Sequence, residues 1–297
     1  MLRAFLDEHP DFARWLEPIQ DRGKRLAAVV RAPIDVAPTL KRILWHKLPG
    51  SVATSATLAV AGRFGHWQGR VGLSEAETSV HASPFDHASQ ALLALPRDLP
   101  DPRKPEFLAR SAECVLECVA ASNGGAFVLC TSYEAVEVYA AALSRALPGT
   151  LVLAQGRMPR SVMLQRFMEH RDAVLVGVDS FWEGVSVKGD ALRLVVIPRL
   201  PFRVPSDPLQ EARLERIKAR GRDAFRSYSL PHAVLRLRQG YGRLIRSTTD
   251  RGVVVVLDRR IHERSYGALM LRSLPPARKV NAPWRRVIEE VREFYAP

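Results

Sequence analysis

From residue 106 onward the sequence repeats one rhythm of short apolar runs alternating with amphipathic ones, and this limits the fold more than any other feature. AFVLCT (126–131), LVLA (151–154), AVLVGVD (173–179), LRLVVIP (192–198) and GVVVVLD (252–258) lack any alternation of apolar and polar residues. Strands of that kind are covered on both faces. Helical patterns cover about 106–122, 133–147, 159–170, 207–226, 230–245, 263–272 and 284–294. Covered strands separated by helices predict an α/β layer architecture with a parallel sheet. No internal repeat or heptad is present, which excludes a solenoid or a coiled coil.

The front of the chain is less regular. Residues 2–16 carry apolar positions at helical spacing, interrupted by Pro10. LAAVVRA (26–32) predicts a strand, and VAPTLKRILWHKL (36–48) a helix with Pro38 in its first turn, ended by Pro49-Gly50. SVATSATL (51–58) reads as a buried strand followed by a polar turn. Residues 59–104 contain Gly62, Gly65, Gly69 and Gly72, and LPRDLPDPRKP (95–105) reads as a loop. One domain is expected to hand over to the next in this region.

With 47% hydrophobic residues over 297 positions, the chain has enough apolar matter for a sizeable core. Its net charge of +13 is unevenly placed. Residues 1–150 hold 16 basic and 16 acidic side chains, whereas residues 151–297 hold 28 and 15. Arg199–Arg246 alone has 12 basic against 4 acidic residues. A basic half beside a neutral one points to a polyanionic partner, nucleic acid or a phosphate-rich ligand. The alternative is compositional, because only 7 of the 44 basic residues are lysine and arginine bias alone inflates the count. No run approaches the length of a transmembrane helix, and MLRAFLDEHPDFARW lacks the apolar core of a signal peptide. Cys114, Cys118 and Cys130 make no disulfide framework, and no histidine completes a metal pattern around them. Buried thiols, no metal site and a cytoplasmic location are expected.

Four segments carry candidate chemistry. In QGYGRLIR (239–246), a continued helix would place Gln239, Arg243 and Arg246 on one face, with Gly240 and Gly242 permitting close backbone approach. Two fixed arginines form a fork for anionic oxygens, as a developing γ-phosphate charge requires; a solvated charged face is the plain alternative. DSFWEGVSVKGD (179–190) follows an apolar strand, where open α/β sheets bind ligands. There Asp179 is a hydrogen-bond acceptor, Glu183 can orient an arginine or a water, and Trp182 either stacks on a base or packs in the core. Thr54, Ser55 and Thr57 offer hydroxyls after a strand, as does Ser132 beside Tyr133; both sets also suit turn caps. The basic helices and the loop LPFRVPSDP, with Arg203, suit phosphate contacts that ignore base sequence.

These segments, in this order, resemble motifs III to VI of the DinG/XPD-like family of superfamily 2 DNA helicases, of the bacterial DinG and YoaA type. The likeness runs from about residue 26 to 275. SVATSATL is similar to motif III, GGAFVLCTSYEAV to motif IV, DSFWEGVSVKGDALRLVVIPRLPF to motif V, and QGYGRLIRSTTDRGVVVVLDRRI to motif VI. Cys130 stands where the family usually has phenylalanine, and Ser186 where it commonly has aspartate.

The resemblance implies a RecA-like parallel sheet sandwiched by helices (motor domain 2, residues 73–297), preceded by the tail of motor domain 1 (1–72). It implies γ-phosphate contacts from Arg243 and Arg246, positioned by Gln239. It places Asp179, Gly184, Ser186 and Gly242 at the nucleotide, with Glu183 coupling the nucleotide to DNA. It also implies a single-stranded DNA track along Ser55, Thr57, Ser132, Tyr133, Trp182, Arg199 and Arg203. ATP with Mg²⁺ is the implied cofactor, and single-stranded or forked DNA the implied partner, with 5′-to-3′ movement. Walker A, the Walker B acids and the four cysteines of a 4Fe-4S domain do not occur in the sequence. They are expected in an N-terminal helicase half acting in cis or in trans, and the chain alone is expected not to hydrolyse ATP. Two other readings are a stand-alone basic nucleic-acid-binding module and an unrelated α/β enzyme for a phosphorylated metabolite.

Overall fold

Seven parallel strands form the sheet that the apolar runs predict, in a computed structural model that describes residues 5–6, 9–21, 24–178, 181–182, 189–203 and 207–296. Asp179, Glu183, Gly184 and Ser186 lie outside the described residues. The elements in chain order are β1 (Phe12–Asp21), β2 (Lys24–Pro33), α1 (Ala37–Ile43), α2 (Gly65–Val71), α3 (His87–Gln90) and β3 (Ala91–Pro96). Next come α4 (Glu106–Ala121), β4 (Ala126–Leu129), α5 (Tyr133–Ala146), β5 (Val152–Ala154), α6 (Arg160–Glu169), β6 (Val174–Gly177) and β7 (Leu194–Ile197). The remainder is α7 (Pro208–Ala219), α8 (Leu230–Tyr241), β8 (Gly252–Val256), α9 (Arg260–Glu263), α10 (Gly267–Arg272), β9 (Arg278–Ala282) and α11 (Trp284–Tyr295).

The chain divides into two compact units. The larger comprises His81–Phe202 and Ala233–Pro297, and holds the sheet in the order β5-β6-β4-β7-β8-β3-β9. Every residue of β3, β4, β6, β7 and β8 is buried, as strands covered on both faces must be. Each buried Val or Leu contributes about 1.5–3 kcal/mol relative to exposure. α4 turns Phe107, Ser111, Cys114, Val115 and Cys118 inward at helical spacing. Its one buried hydroxyl, on Ser111, is satisfied by the Tyr139 hydroxyl of α5 at 2.8 Å. α11 buries Trp284, Val287, Ile288, Val291 and Phe294 on one stripe. The NGG turn after α4 needs its glycine: Gly124 has φ +73°, and a Cβ there would lie 2.0 Å from the Asp172 carbonyl oxygen.

The smaller unit comprises Met1–Val80 and Arg203–His232. β1 and β2 pair antiparallel from Phe12↔Pro33 to Asp21↔Lys24. Arg213 donates from Nε to the Ile34 carbonyl at 2.9 Å, Arg216 meets Asp11 at 2.5 Å, and Trp45 Nε1 donates to the Val71 carbonyl at 2.6 Å.

The structure corrects several expectations. The helix expected across residues 2–16 gives way from Phe12 to strand β1, because a ten-residue ladder with β2 outweighs the helical spacing. SVATSATL is not a buried strand: residues 51–56 are exposed and without regular structure, and no neighbouring strand pairs with them among the described residues. The apolar run ALLALP, whose end fell inside the expected loop, is β3, held between β8 and β9. RKVNA, read as neither strand nor helix, is the edge strand β9.

All three cysteines are free and buried. Burial pushes the Cys114 thiol up to about 12, and Cys118 and Cys130 also rise. A thiolate is the reactive species, so these thiols are inert in the fold. An aromatic disulfide reagent at pH 8 is expected to release three equivalents from denatured chain and almost none from native chain over the same minutes. Rapid native release would contradict the buried placement.

Candidate functional site

The segment richest in candidate chemistry begins on α8. The helix ends at Tyr241, so Gln239, Arg243 and Arg246 do not share one continuous helical face as expected. The Gly242 N–H donates to the Arg238 carbonyl at 2.9 Å, closing the last α turn. The next two bonds, Arg243 N–H to Gly240 O and Leu244 N–H to Tyr241 O, each at 3.2 Å, span only three residues. Two glycines in four residues weaken the helix, and its end tightens in the way helix termini commonly do. Arg243 therefore stands on the tightened turn and Arg246 in the loop beyond it. Arg243 Nε reaches back to the Gln239 carbonyl at 3.3 Å. The side-chain Oε1 of Gln239 is buried and has no hydrogen-bond partner among the described residues.

Gly240 has a packing reason. A Cβ there would lie 3.0 Å from the Trp182 ring and 3.2 Å from Leu129. Trp182 is 0% exposed, and its Nε1 donates to the Cys130 carbonyl at 3.1 Å. The Arg236 guanidinium sits 5.4 Å from its ring centroid. Of the two readings of Trp182, this geometry is the core one, since a ring covered on both faces offers none to a base. Gly242, by contrast, is exposed at the turn.

Arg246 is held by its backbone. The N–H groups of Arg246 and Ser247 both donate to Asp250 Oδ2, at 2.7 and 2.9 Å, and Ser247 Oγ donates to Oδ1 at 2.6 Å. Asp250 is 4% exposed. Gln90, at the end of α3, donates from Nε2 to the carbonyls of Ser247 and Asp250 at 2.9 and 2.8 Å. Burial lowers the proton affinity of Arg246, and nearby Asp250 partly restores it. The guanidinium remains charged at any physiological pH. Sequence reasoning missed Asp250 and Gln90; the local S-x-x-D spacing of Ser247 and Asp250 was the available signal for the first.

Ser132 caps α5, its Oγ accepting from the Ala135 N–H at 3.3 Å. Tyr133 beside it is exposed. Gln155, also missed, donates to the Tyr133 hydroxyl at 3.3 Å and accepts from the Val178 N–H at 2.7 Å. That ties the start of α5 to the chain leaving β6. Arg199 lies 5.2 Å from the Phe107 ring centroid, with its Nε buried and lacking a hydrogen-bond partner among the described residues. The strand end that carries Arg199 is anchored by Asp258, 0% exposed, whose Oδ2 accepts from the Leu200 N–H at 2.8 Å and from Arg260 Nη2 at 2.6 Å. Ser55, Thr57 and Arg203 belong to the smaller unit. The Ser55 and Thr57 hydroxyls lie 3.2 Å apart, and Arg203 is exposed. No cluster of three or more metal-ligating side chains occurs among the described residues, and none of their helices is long and apolar enough to cross a membrane.

Residues 115–277, more than half of the chain, match the family described as "Helicase C-terminal domain". The chain is similar to the ATP-dependent DNA helicase YoaA of Escherichia coli, 42% identical over 90% of the chain and 41% of that protein. It is also similar to the ATP-dependent helicase DinG of Mycobacterium tuberculosis, 36% identical over 97% of the chain and 45% of that protein. A solved structure titled XPD_APO overlaps 65% of the chain and 40% of its own length, with 19% identity and a TM-score of 0.48. The chain thus spans less than half the length of the curated relatives it matches. It belongs to the helicase C-terminal domain family, and is homologous to the corresponding part of the YoaA and DinG helicases.

Proposed function

We propose that the chain is the second motor domain, with the tail of the first, of an ATP-dependent DNA helicase that moves 5′ to 3′ on single-stranded DNA. Residues 1–72 are assigned to the first domain and 73–297 to the second. In this reading Arg243 and Arg246 meet the outer phosphates of ATP held by a Walker-bearing domain. Gln239 positions them, and Glu183 with Asp179, Gly184, Ser186 and Gly242 completes the nucleotide side. The observation that carries the reading is the doubly anchored arginine turn: Arg243 is tied to Gln239, and the Arg246 backbone is locked by Asp250. Preorganised cations of this kind stabilise charge that develops on a transferring phosphoryl group. These residues fit a triphosphate, since two cationic forks and the Gln239 amide oxygen, unpartnered among the described residues, offer contacts to phosphate oxygens and to a polarised water. The sequence has neither a Walker A lysine nor an acidic Walker B pair, so the Mg²⁺ ligands belong to the other domain.

Ser55, Thr57, Ser132, Tyr133, Arg199 and Arg203 are assigned to a DNA strand, which the basic charge of residues 151–297 attracts. The test is reconstitution. The chain alone is expected to show no ATP hydrolysis. Mixed with or fused to the Walker-bearing half of a DinG relative, it is expected to give hydrolysis stimulated by single-stranded DNA. Hydrolysis by the chain alone, or a fusion with no DNA-stimulated hydrolysis, would overturn the assignment. The stand-alone module reading predicts salt-sensitive DNA binding with no gain on fusion.

A further inference from the structure

The smaller unit contains a cleft of about 590 Å³ that the nucleotide reading does not use. Six arginines line it: Arg70 from α2, Arg213, Arg216 and Arg220 from α7 and its cap, and Arg222 and Arg226 from the segment that follows. Positions 213, 216 and 220 recur at helical spacing on one side of α7. Among the described residues, the single acidic one in the lining is Asp35, and its Oδ1 accepts the Ala37 N–H at 3.0 Å. Arg216 meets Asp11, and Arg226 meets Asp223 at 3.6 Å, outside the lining. Arg70 is bonded to His232, Arg213 to the Ile34 carbonyl, and Arg216 and Arg226 to those aspartates, which still leaves more positive than negative charge around a space of small-molecule size.

Two histidines lie beside Arg70. His232 accepts a hydrogen bond from Arg70 Nη1 at 2.6 Å, which requires the lone pair of a neutral imidazole. Its pKa falls to about 3, first through burial and then through Arg70, His66, Arg203 and Arg213. His66 in the lining is lowered as well, by burial and by Arg70.

Between its charged residues, α2 also presents two bare positions to the cleft. Gly65 and Gly69 of α2, one helical turn apart, both line the cleft, and a Cβ on either would meet nothing within 4 Å. Neither needs glycine for its backbone conformation. Glycine inside a helix is destabilising relative to alanine, so two of them facing open space suit a wall that a ligand approaches closely.

We propose that this cleft binds a run of two or more phosphates, taken in by the arginine forks against the glycine wall of α2. Phosphate matches the guanidinium fork in shape and charge, and a polyphosphate displaces the counterions that six crowded cations must otherwise hold. The phosphates belong either to a nucleic-acid backbone or to a free polyphosphate chain. This site is separate from Arg243 and Arg246, so its failure leaves the ATP reading untouched.

The experiment uses the whole chain, with inorganic tripolyphosphate followed by calorimetry and a fluorescent 15-nucleotide oligo-dT followed by anisotropy. Gly69→Leu fills the cleft without changing its charge and leaves a better helix former in α2. Arg220→Gln with Arg222→Gln removes two exposed cations. Tripolyphosphate binding is expected to weaken about tenfold or more in each variant. In wild type, tripolyphosphate is expected to raise the His232 pKa by about one unit or more in imidazole NMR, since a bound anion favours the charged ring. An equal loss for oligo-dT in Gly69→Leu assigns the phosphates to a strand. Loss for tripolyphosphate alone assigns them to a free polyphosphate. Unchanged affinity of both ligands in Gly69→Leu, with its circular dichroism intact, would mean diffuse surface charge and overturn the proposal. Should Gly69→Leu misfold, the arginine pair decides together with the His232 titration, and a silent His232 overturns it equally.

Discussion

ATP turnover by the chain fused to a Walker-bearing half is expected to fall by about a thousandfold when Arg243 becomes Ala, the usual scale for losing an arginine finger. The guanidinium would act on charge that develops in the transition state, so kcat carries the loss and KM for ATP moves little. Arg243→Lys is not expected to rescue, because one ammonium cannot reproduce a planar fork whose Nε is already committed to the Gln239 carbonyl. Arg246→Ala should lose a similar amount. Arg243 sits half-buried on a turn with neither neighbour in a strand, so the variant should melt within about 2 °C of wild type, which corresponds to less than 1 kcal/mol. Oligo-dT binding supplies the control and should change less than threefold. A variant that keeps more than about a tenth of wild-type kcat would remove Arg243 from the chemistry.

The largest expected loss of stability comes from Asp258. Its carboxylate is 0% exposed and holds both the Leu200 N–H and the Arg260 guanidinium, which is itself only 20% exposed. Asp258→Ala leaves a partly buried cation without its carboxylate and a buried N–H without an acceptor. Breaking a buried pair on one side costs about 3–5 kcal/mol. For a domain of this size that lowers Tm by roughly 6–15 °C. Asp258→Asn keeps an acceptor for Leu200 but not the charge, and should fall between the two. A Tm within about 2 °C of wild type for Asp258→Ala would show that the pair is not structural.

Most of the sheet is readable from the sequence because its strands are uniformly apolar and their helices carry clean stripes. Cys114, Val115 and Cys118 face inward where the spacing puts them. The misses have separate causes. ALLALP contains no β-branched or aromatic residue, and its strand conformation comes from pairing on both sides with β8 and β9. Phe12–Asp21 mixes both periodicities, and the strand emerges only with β2 opposite. SVATSATL has strand-like residues but no ladder partner among the described residues, and partner strands are not written in a strand's own sequence. The arginine site was legible as residues and not as geometry. Helical spacing suggested one face, whereas the glycines and Asp250 turn Arg243 and Arg246 onto a loop. Asp250 and Gln90 hold that loop through backbone atoms, which leave little trace in side-chain patterns. The cleft was legible only in part: five of its six arginines fall in the basic stretch 213–226, whereas Arg70 and the glycines of α2 come from a segment far earlier in the chain.

The two ends of the sheet differ in a way that governs how the protein behaves in a crowded solution. β5 closes one side with only three residues, and β9 closes the other with Arg278, Lys279 and Asn281 exposed on a five-residue strand. An open parallel sheet offers unpaired N–H and C=O groups to any passing strand. Here one margin is too short to template a new ladder and the other repels a copy of itself by charge. The fold therefore resists edge-to-edge polymerisation even though five of its strands are as apolar as those that stack into fibrils. Two brief, ordinary-looking segments thus guard the margins of the sheet.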